Sequence, residues 1–296
     1  MTTYQLVTHR KDKASAFLHL DLFRRAQWGL VIYDEVHLLP APVFSITAEI
    51  QYCRRLGLTA TLVREDDKQD DVFALIGPKK VDVPWKDLEN QGWIARACCT
   101  EVRVPLSEGL RMEYAVAPGR SKFRIAATDP AKAPVVRQIL AEHPGEPALV
   151  IGMYLDQLKQ IAARLGAPLL TGQTAQRRRE HLFTEFRAGR IPVLVVSKVA
   201  NFAVDLPDAA LAIQVSGTFG SRQEEAQRLG RILRPKEGIN QAHFYTLVCR
   251  DTVEQDKAMH RQLFLTEQGY GYRMVDLEDM AGATAAPGQE ESGGAP

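Results

Sequence analysis

Residues 28–39 read Trp-Gly-Leu-Val-Ile-Tyr-Asp-Glu-Val-His-Leu-Leu. The run at 30–33 is short, apolar and partly β-branched. This pattern predicts a buried strand of a parallel sheet, because both faces of such a strand are covered and its side chains do not alternate. Asp34 and Glu35 follow at the carboxyl end of the strand, the end that faces the ligand crevice in open α/β sheets. The stretch therefore predicts an α/β fold with two carboxylates at a ligand-binding edge.

The rest of the chain repeats this kind of strand. Apolar runs occur at 148–151, 193–196, 211–215 and 244–248, and another short strand is predicted around 56–58. Between several of these runs, apolar residues recur at three- and four-residue spacing. One such helical pattern starts at Leu155 and is predicted to end at Gly166. Strands that alternate with helices predict βαβ units and a parallel sheet.

The composition limits the classes of protein. The 296 residues are enough for two domains, and 45% of them are hydrophobic, which is enough for real cores. The formal net charge is +1, so a nucleic-acid partner needs a local basic patch. None of the four cysteines forms a Cys-x-x-Cys pair, which disfavours a zinc site and favours a reduced cytoplasmic protein. No apolar run approaches the roughly 20 residues of a membrane span.

Asp34-Glu35-Val36-His37 is the first motif that could carry chemistry. Phosphoryl transfer needs a carboxylate near Mg²⁺ and a group that orients the attacking water. Two adjacent carboxylates at a strand end could supply both. An ordinary acidic strand-to-loop turn explains the same four residues, so the motif alone leaves both interpretations open.

Gln227-Arg228-Leu229-Gly230-Arg231-Ile232-Leu233-Arg234 is the second motif. Arg231 and Arg234 lie three apart on one helix face, and planar guanidiniums suit phosphate charge that is spread over several oxygens. A solvated basic helix end is the alternative, because the helix dipole also favours arginine there.

Thr171-Gly172-Gln173-Thr174, followed by Arg177, Arg178 and Arg179, is the third motif. Hydroxyls, backbone amides and arginines at a helix N-terminus predict a phosphate-contact patch. A capped, exposed helix start remains the alternative. Trp85 and Trp93 could stack on bases, although we favour packing residues of a connecting segment.

The order of the motifs resembles that of superfamily 2 helicases: an acidic box, then Thr59-Ala60-Thr61, then a Gln-x-x-Gly-Arg-x-x-Arg box. Longer segments are more specific, and together they resemble XPB-type DNA helicases in their bacterial form over roughly residues 2–275. These segments are 56–68, 75–79, 197–199, 205–207 and 220–231.

The resemblance implies tandem RecA-like lobes and an ATP-dependent 3′-to-5′ DNA helicase or translocase that acts in DNA repair of the nucleotide-excision kind. It divides the chain into four segments. Residues 1–80 are expected to form part of a first lobe, 81–130 a connection with a possible thumb-like insertion, and 131–276 a complete second lobe. Residues 277–296, rich in Ala, Gly, Pro, Glu and Ser, are expected to be a disordered tail.

The resemblance also implies roles for individual residues. Asp34 and Glu35 would hold Mg²⁺, with Glu35 activating water. The other residues expected at the ATP are Asp205, Gln227, Arg231 and Arg234. The residues expected to contact DNA, or to couple it to the ATP site, are His37, Thr59, Thr61, Arg64, Glu65, Asp66, Thr171, Arg177 and Ser197. For His37 we favour coupling to the second lobe over simple packing.

One feature of the family is missing from these residues. A helicase of this type uses a Gly-x-x-x-x-Gly-Lys-[Ser/Thr] loop for the triphosphate, and the sequence contains no Gly-Lys dipeptide. We therefore expect a C-terminal part of a helicase, with an incomplete first lobe, that cannot hydrolyse ATP alone. The alternative is a non-catalytic DNA-binding module or a partner of a nuclease.

Overall fold

The computed structural model describes residues 1–12, 14–41, 43–50, 52–59, 69–197, 209–217, 230 and 240–280. The chain divides into two compact units, Met1–Pro84 (unit 1) and Trp85–Pro296 (unit 2). Each unit is described by itself.

Unit 1 contains a two-stranded parallel sheet. Its elements are α1 (Tyr4–Val7), α2 (Leu20–Arg24), β1 (Trp28–Tyr33), β2 (Tyr52–Gly57) and α3 (Gln69–Ile76), with single 3₁₀ turns at Val36–Leu38 and Ser45–Glu49. One face of the sheet is covered, because Tyr33 packs with Val36, Leu39 and Val72 in a buried cluster.

The other face of that sheet carries exposed apolar side chains. Leu30 is 50% exposed, Ile32 is 55% exposed, and Leu56 is 44% exposed. Ile32 is the register partner of Leu56, so these side chains lie on one surface. The prediction that both faces of the first strand are covered is wrong for the described residues. An apolar run shows what a strand can bury, but it does not show whether the described chain covers it.

Unit 2 contains a seven-stranded sheet in the order β5-β6-β4-β7-β8-β3-β9, and every pairing is parallel. Its strands are β3 (Arg96–Val104), β4 (Ala148–Gly152), β5 (Leu169–Leu170), β6 (Val193–Ser197), β7 (Leu211–Gln214), β8 (Gln241–Cys249) and β9 (Tyr272–Asp276). Its helices are α4 (Trp85–Asn90), α5 (Glu108–Val116), α6 (Gly119–Ala127), α7 (Lys132–Glu142), α8 (Leu155–Leu165), α9 (Gln176–Arg187), α10 (Val253–Glu267) and α11 (Leu277–Met280). The predicted α/β class is confirmed.

The central strands of unit 2 are continuous apolar runs for a physical reason. Every residue of β4 and of β7 is buried, since helices cover both faces of the sheet. Leu158 and Ile161 of α8 enter the same core. Helix α8 ends where the sequence predicted, because Gly166 adopts φ 62° and its amide bonds back to the last turn.

Strand β3 lies inside the segment that the sequence assigned to a connection. It pairs with β8 on one side and β9 on the other, and Cys99, Val102 and Val104 are buried. The sheet of unit 2 therefore includes a strand from well before residue 131. The sequence did not place this strand in the sheet of unit 2, because its partners lie far along the chain.

The end of the described chain also differs from the prediction. Residues 277–296 were expected to be disordered, but Leu277–Met280 form α11 and Met280 is buried against the core. Residues 281–296 lie outside the described residues. No helix of the described residues is long and apolar enough to cross a membrane.

Candidate active site

The acidic box lies where β1 ends. Asp34 is exposed, and its carboxylate Oδ1 accepts the Glu35 backbone N–H at 3.0 Å. Glu35 adopts a left-handed conformation, φ 49° and ψ 49°, which is uncommon for a residue with a Cβ. Such a conformation persists only where the surroundings fix it, and it is frequent at functional sites.

Backbone bonds between the ends of β1 and β2 fix this turn. Val36 N–H donates to the Leu58 carbonyl at 3.0 Å, and Leu58 N–H donates to the Tyr33 carbonyl at 2.8 Å. Gly57 lies against the same turn, because a Cβ at this position would meet Val36 Cγ2 at 2.9 Å. The end of β2 is therefore packed tightly against the acidic box.

His37 connects the acidic box to the predicted Thr-Ala-Thr segment. Its side chain is 2% exposed. His37 Nδ1 lies 2.9 Å from Thr59 Oγ1 and 3.3 Å from Glu35 Oε2. The structure thus brings together four residues that the sequence singled out: Asp34, Glu35, His37 and Thr59.

Tyr4 belongs to the same site, and the sequence reasoning assigned it no role. Its hydroxyl donates to the Asp34 carbonyl at 3.0 Å, and its ring stacks on Tyr33 with centroids 6.3 Å apart. Burial first, and then nearby Tyr33, Asp34 and Glu35, raise the pKa of Tyr4, so the hydroxyl stays protonated as a donor. No spacing rule connects residues 30 positions apart, so only the fold reveals this contact.

Unit 2 brings two further predicted residues to neighbouring strand ends. Ser197 ends β6 and is the register partner of Gly152 at the end of β4. Thr171 directly follows β5, whose last residue pairs with the residue before Ser197. Ser197 is 2% exposed, and its Oγ has no hydrogen-bond partner within the described ranges.

The turn after β5 is held by its own hydroxyls. Thr171 N–H donates to Thr174 Oγ1 at 3.0 Å, and Gln173 N–H donates to Thr171 Oγ1 at 3.2 Å. Arg177 in the first turn of α9 is exposed. The residue that precedes α9, Ala175, makes no side-chain cap, so Thr174 orders the turn rather than capping the helix.

A buried ion pair lies beneath the end of β7. Lys132 Nζ contacts the two carboxylate oxygens of Glu254 at 2.7 and 2.8 Å and donates to the Val215 carbonyl at 3.1 Å. Both side chains are fully buried. Cys249 N–H also donates to Glu254 Oε2, at 2.9 Å. The pair therefore holds the backbone that leads out of β7.

The next residues after β7 are equally constrained. Ser216 Oγ donates to Gln157 Oε1 at 2.8 Å and accepts Met153 N–H at 2.8 Å. A Cβ at Gly217 would lie 2.4 Å from the guanidinium carbon of Arg261, which is fully buried. Sequence reasoning missed all of these residues, because neither a lysine nor an arginine is expected to be fully buried.

A family model identifies the family of the chain. Residues 88–289 match the ERCC3/RAD25/XPB C-terminal helicase model. The chain belongs to the ERCC3/RAD25/XPB C-terminal helicase family. The predicted resemblance to XPB-type helicases is therefore confirmed.

Relatives extend the match beyond the family model. The chain is 58% identical over 282 residues to a protein of Kineococcus radiotolerans named DNA 3′-5′ helicase XPB. The aligned residues cover 95% of this chain and 50% of that protein. It is also 58% identical to the protein of the same name from Mycobacterium tuberculosis, of which it covers 51%. The chain thus spans about half the length of these relatives.

More distant proteins agree in family and fold. The chain is 36% identical over 284 residues to the Saccharomyces cerevisiae general transcription and DNA repair factor IIH helicase/translocase subunit XPB/SSL2. S. cerevisiae Dbp5, solved bound to RNA and ADP BeF3, superposes with a TM-score of 0.59 over 89% of this chain and 65% of that one, at 14% identity. This likeness shows the fold and confirms the predicted RecA-like lobes.

Several residues that the XPB family resemblance singled out lie outside the described residues. They are Thr61, Arg64, Glu65, Asp66, Asp205, Gln227, Arg231 and Arg234. Gly230 of the arginine box is described, and a Cβ there would lie 3.5 Å from the ring of Trp85. Trp85 is almost fully buried, whereas Trp93 is 67% exposed. The predicted packing role therefore fits Trp85 but not Trp93.

Proposed function

We propose that this chain supplies the C-terminal part of an ATP-dependent 3′-5′ DNA helicase or translocase of the XPB type, which acts in DNA repair of the nucleotide-excision kind. The observation that carries the proposal is the contact of His37 with both Glu35 and Thr59 at the end of β1. An ordinary acidic turn gives no reason for a buried histidine to join its carboxylate to the next strand.

The carboxylates suit the chemistry of Mg²⁺-ATP. Mg²⁺ prefers hard oxygen ligands and usually keeps several waters, and the exposed Asp34 carboxylate offers such an oxygen. Glu35 is half-exposed and is held by the left-handed turn, so it is placed to orient a water molecule. When bound, Mg²⁺ would neutralise the charge that develops on the phosphates. Asp34 and Glu35 are therefore the proposed metal-binding and water-activating pair.

His37 is proposed to transmit the state of the nucleotide. Its Nδ1 faces Glu35 on one side and Thr59 on the other, and its burial leaves it little freedom to move independently. A shift of Glu35 when the γ-phosphate leaves would therefore disturb the His37–Thr59 contact. Thr59 directly precedes the segment in which Thr61, Arg64, Glu65 and Asp66 are proposed to meet DNA.

Unit 2 is proposed to supply the other half of the chemistry. Arg231 and Arg234 would reach the γ-phosphate, Gln227 would position water, and Asp205 would contact the nucleotide. Thr171 and Arg177 would contact DNA, as their places after β5 and at the start of α9 support. Ser197 is buried at the neighbouring strand end and would couple this contact to the ATP site. Phosphate contacts of this kind make DNA binding weaker at higher salt.

The test joins the N-terminal half of the Kineococcus radiotolerans relative to this chain and measures ATP hydrolysis with and without single-stranded DNA. We expect DNA-stimulated turnover and 3′-to-5′ unwinding. Glu35→Gln should lower turnover at least about 100-fold, since it removes the water-orienting carboxylate. The matched control is Glu49→Gln, which changes an exposed carboxylate of unit 1 outside the site and should leave turnover unchanged.

Other outcomes separate the alternatives. A joined protein that folds and binds DNA but never hydrolyses ATP would contradict the proposal and favour the non-catalytic DNA-binding or nuclease-partner module. Turnover by this chain alone that Glu35→Gln abolishes would overturn the expectation that these residues need a phosphate-binding loop from elsewhere. The cytoplasmic location stays a prediction.

A further inference from the structure

Three potential metal ligands meet in unit 2, at the edge of the sheet where β4 and β8 begin. His143 follows α7, Glu146 lies in the turn before β4, and His243 lies near the start of β8. Because the sheet is parallel, the starts of β4 and β8 share one edge and the ends of β4 and β6 share the other. The cluster is therefore separate from the edge that carries Gly152 and Ser197.

The geometry of the cluster suits a shared ion. His143, Glu146 and His243 each offer one ligand atom, and these atoms all lie within 4.8 Å of one another. His143 Nδ1 is 3.3 Å from Glu146 Oε1, and the rings of His143 and His243 have centroids 4.4 Å apart. Two ligand atoms that each lie about 2.1 Å from a tetrahedral metal ion are about 3.4 Å from one another. A small rotation of side chains such as the partly exposed Glu146 closes the remaining gap.

Each ring nitrogen of His143 has its own partner. Its Nε2 lies 2.9 Å from the Tyr245 hydroxyl, while its Nδ1 faces Glu146. Metal-bound histidines usually donate their other ring N–H to an oxygen, which fixes the tautomer. If Nε2–H donates to the Tyr245 hydroxyl, Nδ1 is left with a free electron pair that points toward the cluster.

Glu146 supplies a second and independent observation. Its Oε2 atom is buried and has no hydrogen-bond partner in the part of the chain that the structure describes. A buried carboxylate oxygen without a partner is costly unless a cation or a donor reaches it. The unpaired oxygen stands beside two imidazoles, so the missing partner fits a cation better than an uncharged donor.

We propose that His143, Glu146 and His243 form a binding site for a divalent transition-metal ion of the Zn²⁺ type. Imidazole and carboxylate together suit Zn²⁺ and its neighbours in the first transition row, and three protein ligands leave one position for water. The ion would clamp the turn between α7 and β4 to strand β8. The cysteine spacing argued against zinc, but this site takes its ligands from segments a hundred residues apart.

The experiment adds Zn²⁺, or Co²⁺ as a spectroscopic probe, to the metal-free full chain without nucleotide or DNA. We expect one equivalent to bind, with visible Co²⁺ absorption, and Zn²⁺ at about 100 times its Kd to raise the Tm by about 5 °C. His243→Ala should weaken binding at least about tenfold and abolish the Tm shift. His260→Ala changes an exposed histidine of α10 outside the cluster and should behave as the unmodified chain.

Glu146→Gln is a second variant that separates loss of binding from misfolding, because it changes only one partly exposed carboxylate. It should keep the metal-free Tm within a few degrees and still lose Zn²⁺ binding. Unchanged binding in both His243→Ala and Glu146→Gln, or equal loss in His260→Ala, would overturn the proposal. None of these readouts involves ATP or DNA, so failure here leaves the proposed function untouched.

Discussion

The sheets of units 1 and 2 begin from similar apolar runs but differ in what covers them. In β4 all five residues are buried, whereas Leu30 and Ile32 of β1 are each at least half exposed. The strand residues themselves are alike, so the difference lies in the elements that pack on them. In unit 2, helices cover both faces of the sheet. In unit 1, the described residues cover only one face of the sheet.

The comparison separates stability from chemistry. The fully buried residues of the chain are concentrated in unit 2, where hydrophobic burial is the main favourable contribution to folding. The acidic box and its histidine lie in unit 1. We therefore expect substitutions in the buried core of unit 2 to change mostly the stability of the fold. If the proposed function holds, substitutions at the acidic box should change mostly ATP turnover.

The largest expected effect concerns where unit 2 begins. A fragment of residues 85–280 should fold and unfold cooperatively, while 131–280 should not, because it lacks β3 and leaves β9 without its sheet partner. Thermal unfolding followed by circular dichroism, together with the dispersion of amide resonances, would check both. Equal stability of the two fragments would show that β3 is dispensable and that the boundary predicted from the sequence is the better one.

The next largest effect is the difference between a buried and an exposed ion pair in their contribution to the free energy of unfolding. Lys132→Met leaves Glu254 buried without its cation and should lower the free energy of unfolding by about 3–5 kcal/mol. In unit 1, Arg24→Met breaks an exposed pair with Glu49 and should cost at most about 1 kcal/mol. Urea unfolding measures both. The double variant Lys132→Met with Glu254→Leu should recover part of the loss, and no recovery would mean that packing rather than charge dominates there.

A pair of strand glycines gives a finer comparison. A Cβ at Gly152 would meet Leu158 at 2.8 Å and Val215 at 3.0 Å, whereas Gly29 of β1 has nothing within 4 Å. Gly152→Ala should therefore destabilise the chain by about 1–3 kcal/mol through overpacking. Gly29→Ala should be neutral or slightly stabilising, because alanine restricts the unfolded chain. Similar midpoints for the two variants would mean that the core of unit 2 relaxes around a methyl group.

The smallest effect near neutral pH comes from Cys249. Burial raises its pKa from 9.0 to about 12, so the unfolded chain gives up the thiol proton at lower pH than the folded chain does. The contribution of the neutral thiol to stability is therefore complete below pH 9 and is lost as the pH rises toward 12. Urea midpoints of the 85–280 fragment should fall over this window, and Cys249→Ala should make the fall shallower. An identical slope in the variant would assign it to other groups.

The sequence predicted those parts of the fold that depend on local patterns. The α/β class, the strand that directly precedes Asp34 and the helix that is capped by Gly166 all follow from periodicity and from local backbone preferences. The family resemblance gave coupling roles to both His37 and Thr59, but it did not predict the contact between them.

What the sequence did not predict depends on distant partners. Strand β3 was not assigned to the sheet of unit 2 from the sequence, because its partners β8 and β9 lie far along the chain. Lys132 looks like any helical lysine until Glu254 and the Val215 carbonyl surround it. Tyr4 and Asp34, or His143 and His243, likewise meet only after the chain has folded.

The place of β3 between β8 and β9 has a consequence for the order in which a new chain matures. Strand β3 leaves the ribosome early, but its partner β8 begins only at Gln241. At roughly 5–20 residues per second, synthesis alone imposes a delay on the order of 10 s before the two can pair. During that interval β3 has no strand partner. Until β8 has been made, the backbone of residues 96–104 is therefore open to pairing with another chain.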